Sequence, residues 1–167
     1  MLAISEIYRP NQVKILFVAE APGGGEKHFY HGNTNLYRTI RGAFEIVYGN
    51  FNSPEDFIKF FKSIGCFLDH LSQAPLDKTN RQARLEGRKS AVASLSSRIN
   101  EMNPEIVVVL MREITPFVES ALGQSNIRSV QSLLVVPYPA GSHANKQNCI
   151  SEITQILKQY GPESDFA

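Results

Sequence analysis

"KILFVAEAPGGGEKHFYHG" (residues 14–32) decides the fold. It starts as an apolar, β-branched run, meets a carboxylate at Glu20, then breaks into proline and three glycines before two histidines and two aromatics. A short continuous apolar run bounded by turn residues is the pattern of a strand covered on both faces. Three more runs of that kind follow: "GCFLDHL" (65–71), "EIVVVLM" (105–111) and "SLLVVPY" (132–138). Between and after them the spacing predicts helices over 34–49, 53–64, 80–102, 115–123 and 142–161. Strands alternating with helices imply parallel crossovers. The expected fold is therefore α/β, a three-layer α/β/α sandwich around a central four-stranded parallel sheet, with residues 1–167 as a single domain.

Helix boundaries carry their own chemistry. Ser53-Pro54-Glu55 reads as an N-cap followed by proline in the first turn, and Thr115-Pro116 repeats the pattern. Gly49, Gly123 and Gly161 stand where helices should stop. The tail "PESDFA" is expected to fray.

Composition narrows the function. The 17 Lys and Arg nearly cancel the 16 Asp and Glu, so no general field attracts polyanions and any such site must be local. The longest apolar runs are too short to span a bilayer, and "MLAISEIYRPNQ" lacks the pattern of a secretion signal. Cys66 and Cys149 have no C-x-x-C partner and read as buried reduced thiols, which suits a cytoplasmic protein. No His, Cys or carboxylate grouping has zinc spacing, so no metal and no cofactor is expected.

In an open parallel sheet ligands bind beyond the carboxyl ends of the strands. That rule selects the loop after Glu20, "DHLSQAP" from Asp69, "MREI" from Met111 and "YPAGSHAN" from Tyr138. The glycines of the first loop do not make a nucleotide fingerprint. A P-loop would end in Gly-Lys-Ser/Thr, but Gly25 is followed by Glu26-Lys27-His28, and a dinucleotide motif starting at Gly23 meets His28 at its third glycine.

Taken in order, these segments resemble the uracil-DNA glycosylase superfamily. "AEAPG" (19–23) resembles the G-E-A-P-G motif of the family-four enzymes, with Ala19 in the leading glycine position. "FYHGNTNLYRTI" (29–40) is similar to F-A-H-P-A-N-R-F-W-K-V-I of the mismatch-specific branch. "GCFLDHLSQAP" (65–75) resembles its G-C-G-V-T-K-L-V-D-R-P, "PEIVVVLMRE" (104–113) its P-D-V-V-A-V-L-G-K-Q, and "PYPAGSHAN" (137–145) its P-N-P-S-G-L-x-R. The matches cover most of residues 14–145.

The resemblance implies a monofunctional enzyme that flips a deaminated or mispaired base out of DNA and hydrolyses its N-glycosidic bond. Glu20 and His143 would be catalytic. Glu20 would stabilise the positive sugar or orient water, or else it only accepts loop amides. His143 would donate to the leaving group, or is simply exposed. Ala21, Pro22, Phe29 or Tyr30, Asp69 and Tyr138 would bind the base, with His31 matching the family's histidine. Asp69 stands where family-four members carry a uracil-reading asparagine. An ionised carboxylate only accepts hydrogen bonds, so a base presenting N–H donors is expected there, unless Asp69 caps the following turn. Gly23, Gly24, Gly25, Gly141, Ser142 and Lys146 would meet the backbone phosphates, unless the glycines at 23–25 serve only as a tight exit from the strand.

Departures from the family shape the remaining expectations. Tyr138 and Ala140 replace its leaving-group histidine or asparagine and its serine. Ser142 replaces the leucine wedge, which makes single-stranded or mispaired DNA the expected partner of a monomer. Two cysteines cannot supply the four that hold the family-four iron–sulfur cluster. Arg81, Arg84, Arg88 and Lys89 form the other basic cluster available for backbone contact, although a charge run of this kind is usually a solvated helix face. Two alternatives stand beside the glycosylase: a non-catalytic nucleobase or nucleic-acid binder, and a hydrolase of small nucleosides.

Overall fold

A computed structural model describes residues 4–163; the last four residues of the tail, 164–167, lie outside the described residues. Four apolar runs pair as expected: the first three bury every side chain, as a sheet covered on both faces requires, while the fourth is half-buried at the sheet edge with Val135 exposed. β1 (Ile15–Ala19), β2 (Cys66–His70), β3 (Ile106–Val109) and β4 (Ser132–Val135) form one parallel sheet in the order β2-β1-β3-β4. Ile15 is level with both Cys66 and Ile106, so β1 and its two neighbours β2 and β3 run in step toward their carboxyl ends.

The helices are α1 (Ile4–Ile7), α2 (Asn35–Tyr48), α3 (Pro54–Ser63), α4 (Arg81–Met102), α5 (Thr115–Gln124) and α6 (His143–Tyr160). Right-handed crossovers send α2 and α3 to one face and α4 and α5 to the other. Accordingly α2 packs on α6, α4 packs on α5, and the chain is a three-layer α/β/α sandwich. One core face is aromatic: Phe44, Phe57 and Phe61 interlock with Phe17 of β1 and with Phe29, which sits in a short 3-10 turn over Phe29–His31. Leucine, isoleucine and valine fill the rest.

Boundaries follow their caps. Ser53 Oγ accepts the Asp56 amide at 3.1 Å, and Gly49 and Gly161 stop α2 and α6. Thr115 departs from expectation. A 3-10 turn over Arg112–Ile114 runs straight into α5, so no extended residue precedes the helix, and Ile114 occupies the cap position. Thr115 is the first helical residue and its buried hydroxyl has no hydrogen-bond partner. Gly123 does not end α5 either; the helix continues to Gln124, and Ser125 closes it through Oγ to the Leu122 carbonyl.

The order in which strands are added reverses between β1 and β3, the point where an open parallel sheet leaves a crevice. The loops after Glu20 and after Leu110 diverge there. No described helix is long and apolar enough to cross a membrane. Cys66 and Cys149 are free and buried.

Candidate functional site

Glu20 follows β1 directly and is 4% exposed. Its backbone is fixed because its carbonyl accepts the Ser72 amide at 2.9 Å, continuing the ladder to β2. Its carboxylate is met from α4. Arg84 donates in a fork, Nε to Oε2 at 2.8 Å and Nη2 to Oε1 at 2.6 Å, and Arg88 Nε adds a third bond to Oε2 at 2.6 Å. Positions four apart share one helix face, which is why both arginines arrive together. The basic cluster is thus not a solvated face at these two positions; a buried acid turns them inward. Burial alone would raise the Glu20 pKa, but the two guanidiniums outweigh it and hold the carboxyl below its ordinary value. Glu20 is ionised and its charge is already compensated.

Two cavities meet beside this cluster. The narrower, about 70 Å³, is lined by Glu20, Ala21, Pro22, Gly23, Phe29, His28 and His70, with Lys27 and Lys78 as cations. The wider, about 520 Å³, is lined by Arg84, Arg88, Arg112, Glu113, Ala140 and Asn145. Met111 and Tyr138 border both. Burial, with the Glu20 charge next, raises the Tyr138 phenol, so it stays a neutral hydroxyl at the seam.

The imidazoles of the narrow cavity are neutral. Burial first, then the neighbouring His28 and Arg98 charges, brings His70 down to about 3, and burial with His31 lowers His28. His28 Nδ1 accepts the Tyr30 amide at 3.1 Å, which leaves the proton of the neutral ring on Nε2. His28 therefore carries an N–H donor at a cavity that Phe29 also lines.

The structure separates several residues that sequence groups together. Of the aromatic pair, Phe29 lines the cavity, whereas Tyr30 turns into the core, stacks on Tyr8 at 5.1 Å and accepts the Leu68 amide at 2.7 Å. Asp69 lines neither cavity. Its carboxylate is bound by Arg98 Nη1 and by the His70 amide at 2.8 Å, close to the turn-capping alternative, and burial raises its pKa against the pull of Arg98. His70, the next residue of β2, faces the cavity in its place. His31 bonds through Nδ1 to the Glu26 carbonyl at 2.9 Å.

Around α6, His143 is exposed and lines neither cavity, Ser142 Oγ is occupied as the N-cap by the Asn145 amide at 3.0 Å, and Lys146 is half-buried outside both. Gly24 and Gly25 also lie outside them. Gly25 and Gly141 have φ of 77° and 90°, conformations that account for glycine at both. Asn35 Nδ2 donates to the Pro139 carbonyl at 2.6 Å and ties the start of α2 to the loop after β4. Among the described residues, no three His, Cys, Asp or Glu side chains converge to hold a metal.

Sequence reasoning did not single out His28, His70, Met111 or Arg112 for the site. The available signal for Arg84 and Arg88 was the first half of α4, where no apolar stripe exists although the helix must cover the sheet. Compared with models of known protein families and with curated proteins, the chain matches none.

Proposed function

We propose that the chain takes a deaminated or mispaired base out of DNA into the narrow cavity and hydrolyses its N-glycosidic bond. The observation that carries this reading is the buried Glu20 carboxylate at the end of β1, flanked on one side by a cavity that Phe29, His28 and His70 line and on the other by arginines. The base stacks on Phe29. His28 Nε2–H donates to a carbonyl, the group that deamination introduces in place of an amine. As the bond from sugar to base breaks, its electron pair leaves with the base, positive charge on the sugar faces Glu20, and water adds to the sugar carbon, its released proton neutralising the departing base anion. The family likeness of the strand-end motifs supports the same reaction.

One observation favours a second reading, a binder without turnover. Three guanidinium N–H groups already compensate Glu20, and a carboxylate so held is a weak base and a weak partner for a cation. Excision from single- and double-stranded oligonucleotides containing uracil, hypoxanthine or xanthine separates the two, with wild type beside Glu20→Ala. The glycosylase reading expects release of a base by the wild type that vanishes in the variant. Binding with no release from any substrate moves the assignment to the binder.

A further inference from the structure

We propose that the wide arginine cavity is a phosphate site, which binds the phosphate of the same nucleotide whose base occupies the narrow cavity. The inference rests on the base-binding reading above and adds a site that the family motifs do not contain, since those point to Gly23–Gly25 and the start of α6.

Charge is the first argument. Arg84, Arg88 and Arg112 converge on the cavity, and three guanidiniums against the carboxylates of Glu20 and Glu113 leave one positive charge. Arg112 forms no ion pair among the described residues, so its planar fork is free. A guanidinium fork matches two phosphate oxygens, and a single excess positive charge matches a phosphodiester.

Geometry is the second. Arg84 and Arg88 are fixed by Glu20, so two of the three cations are held in place before a ligand arrives. The cavities share Met111 and Tyr138, and Glu20, which lines the narrow one, is bonded to Arg84 and Arg88 of the wide one. A nucleotide lying across that seam sets its ring against Phe29, its sugar over Glu20 and its phosphate among the arginines. The Asn145 side chain lines the same space. Phosphate drawing on Arg84 or Arg88 would also loosen their hold on Glu20, leaving the carboxylate's negative charge less compensated when substrate is present.

The test is binding, by fluorescence anisotropy, of a labelled single-stranded trinucleotide whose central 2′-fluoro-2′-deoxyuridine resists cleavage. Two relatives are measured beside it: one with neutral methylphosphonate links around the central nucleoside, one with an abasic tetrahydrofuran there. Arg112→Gln, an exposed position whose loss spares the fold, is expected to weaken the diester trimer by about tenfold and leave the methylphosphonate trimer unchanged. Arg112→Lys should recover part of that loss. Equal losses on both trimers, no loss on either, or no binding of the diester trimer to the wild type overturns the proposal. An abasic trimer that binds as well as the base-containing one, with its sensitivity to Arg112 intact, removes the base pocket and keeps the phosphate site. Displacement of the trimer by deoxyuridine monophosphate at lower concentration than by a second diester trimer assigns the site to a free nucleotide.

Discussion

Removing the Glu20 charge leaves Arg84 and Arg88 beside an amide that offers one acceptor oxygen and no countercharge, so Glu20→Gln should cost about 3 kcal/mol, at the lower end for a broken buried pair because both arginines keep some solvent contact. Urea denaturation measures it. Acid titration gives an independent reading. The folded-state pKa of Glu20 is depressed, so its contribution is complete above the ordinary value of 4.5 and disappears as pH falls below it. His70 acts earlier. Its folded pKa is lowered from 6.5 to about 3, so the unfolded chain takes up a proton first and stability declines as pH drops below 6.5. His70→Gln should flatten the urea midpoint between pH 6.5 and about 5, and Glu20→Gln should flatten only the decline below about 4.5. A titration unchanged in both variants would remove both assignments. Tyr30→Phe is expected to cost about 1–2 kcal/mol without altering nucleobase binding, because it orphans the buried Leu68 amide in the core and leaves the cavity lining untouched.

At the scale of elements, α4 works as a strap. Arg84 and Arg88 fasten it to the end of β1, and Arg98 reaches Asp69 and the carbonyls of His70 and Leu71 beyond β2 at 2.9 and 3.0 Å. Arg98→Met should therefore destabilise by about 3 kcal/mol or more, with faster amide exchange concentrated at residues 69–72. A global loss with no local change would mean that Arg98 serves packing alone. The strands and helices were legible in the sequence because each apolar run was short, punctuated and separated by helical spacing: "KILFVAE" became Ile15–Ala19, and Ser53 capped as its motif implied. The inward turn of the arginines was not legible. A charge run does not reveal which face it occupies when the acid that attracts it lies 64 residues away. Nor could sequence choose between Asp69 and His70. Neighbouring strand residues point to opposite faces, and in a strand buried on both sides nothing local says which face meets the ligand. The Thr115 motif misled for a different reason, since a 3-10 turn filled the position that a capping residue needs.

Across the whole molecule, a net charge of +1 gives little long-range steering, so the nucleic-acid binding that the proposed function requires would have to come from the few cations gathered at the cleft. Single-stranded DNA affinity should then fall gently with salt, with a logarithmic slope of about −0.7 to −1.4 for one or two neutralised phosphates. A much steeper slope would mean a wider footprint than the arginine cavity offers. The strand order also bears on how the chain is born. β1 is the inner strand whose partners are Cys66–His70 on one side and Ile106–Val109 on the other. A chain growing from a ribosome carries "ILFVA" with one naked edge until the third strand has been made, so nascent chains stalled before residue 105 should be the species that chaperones seize.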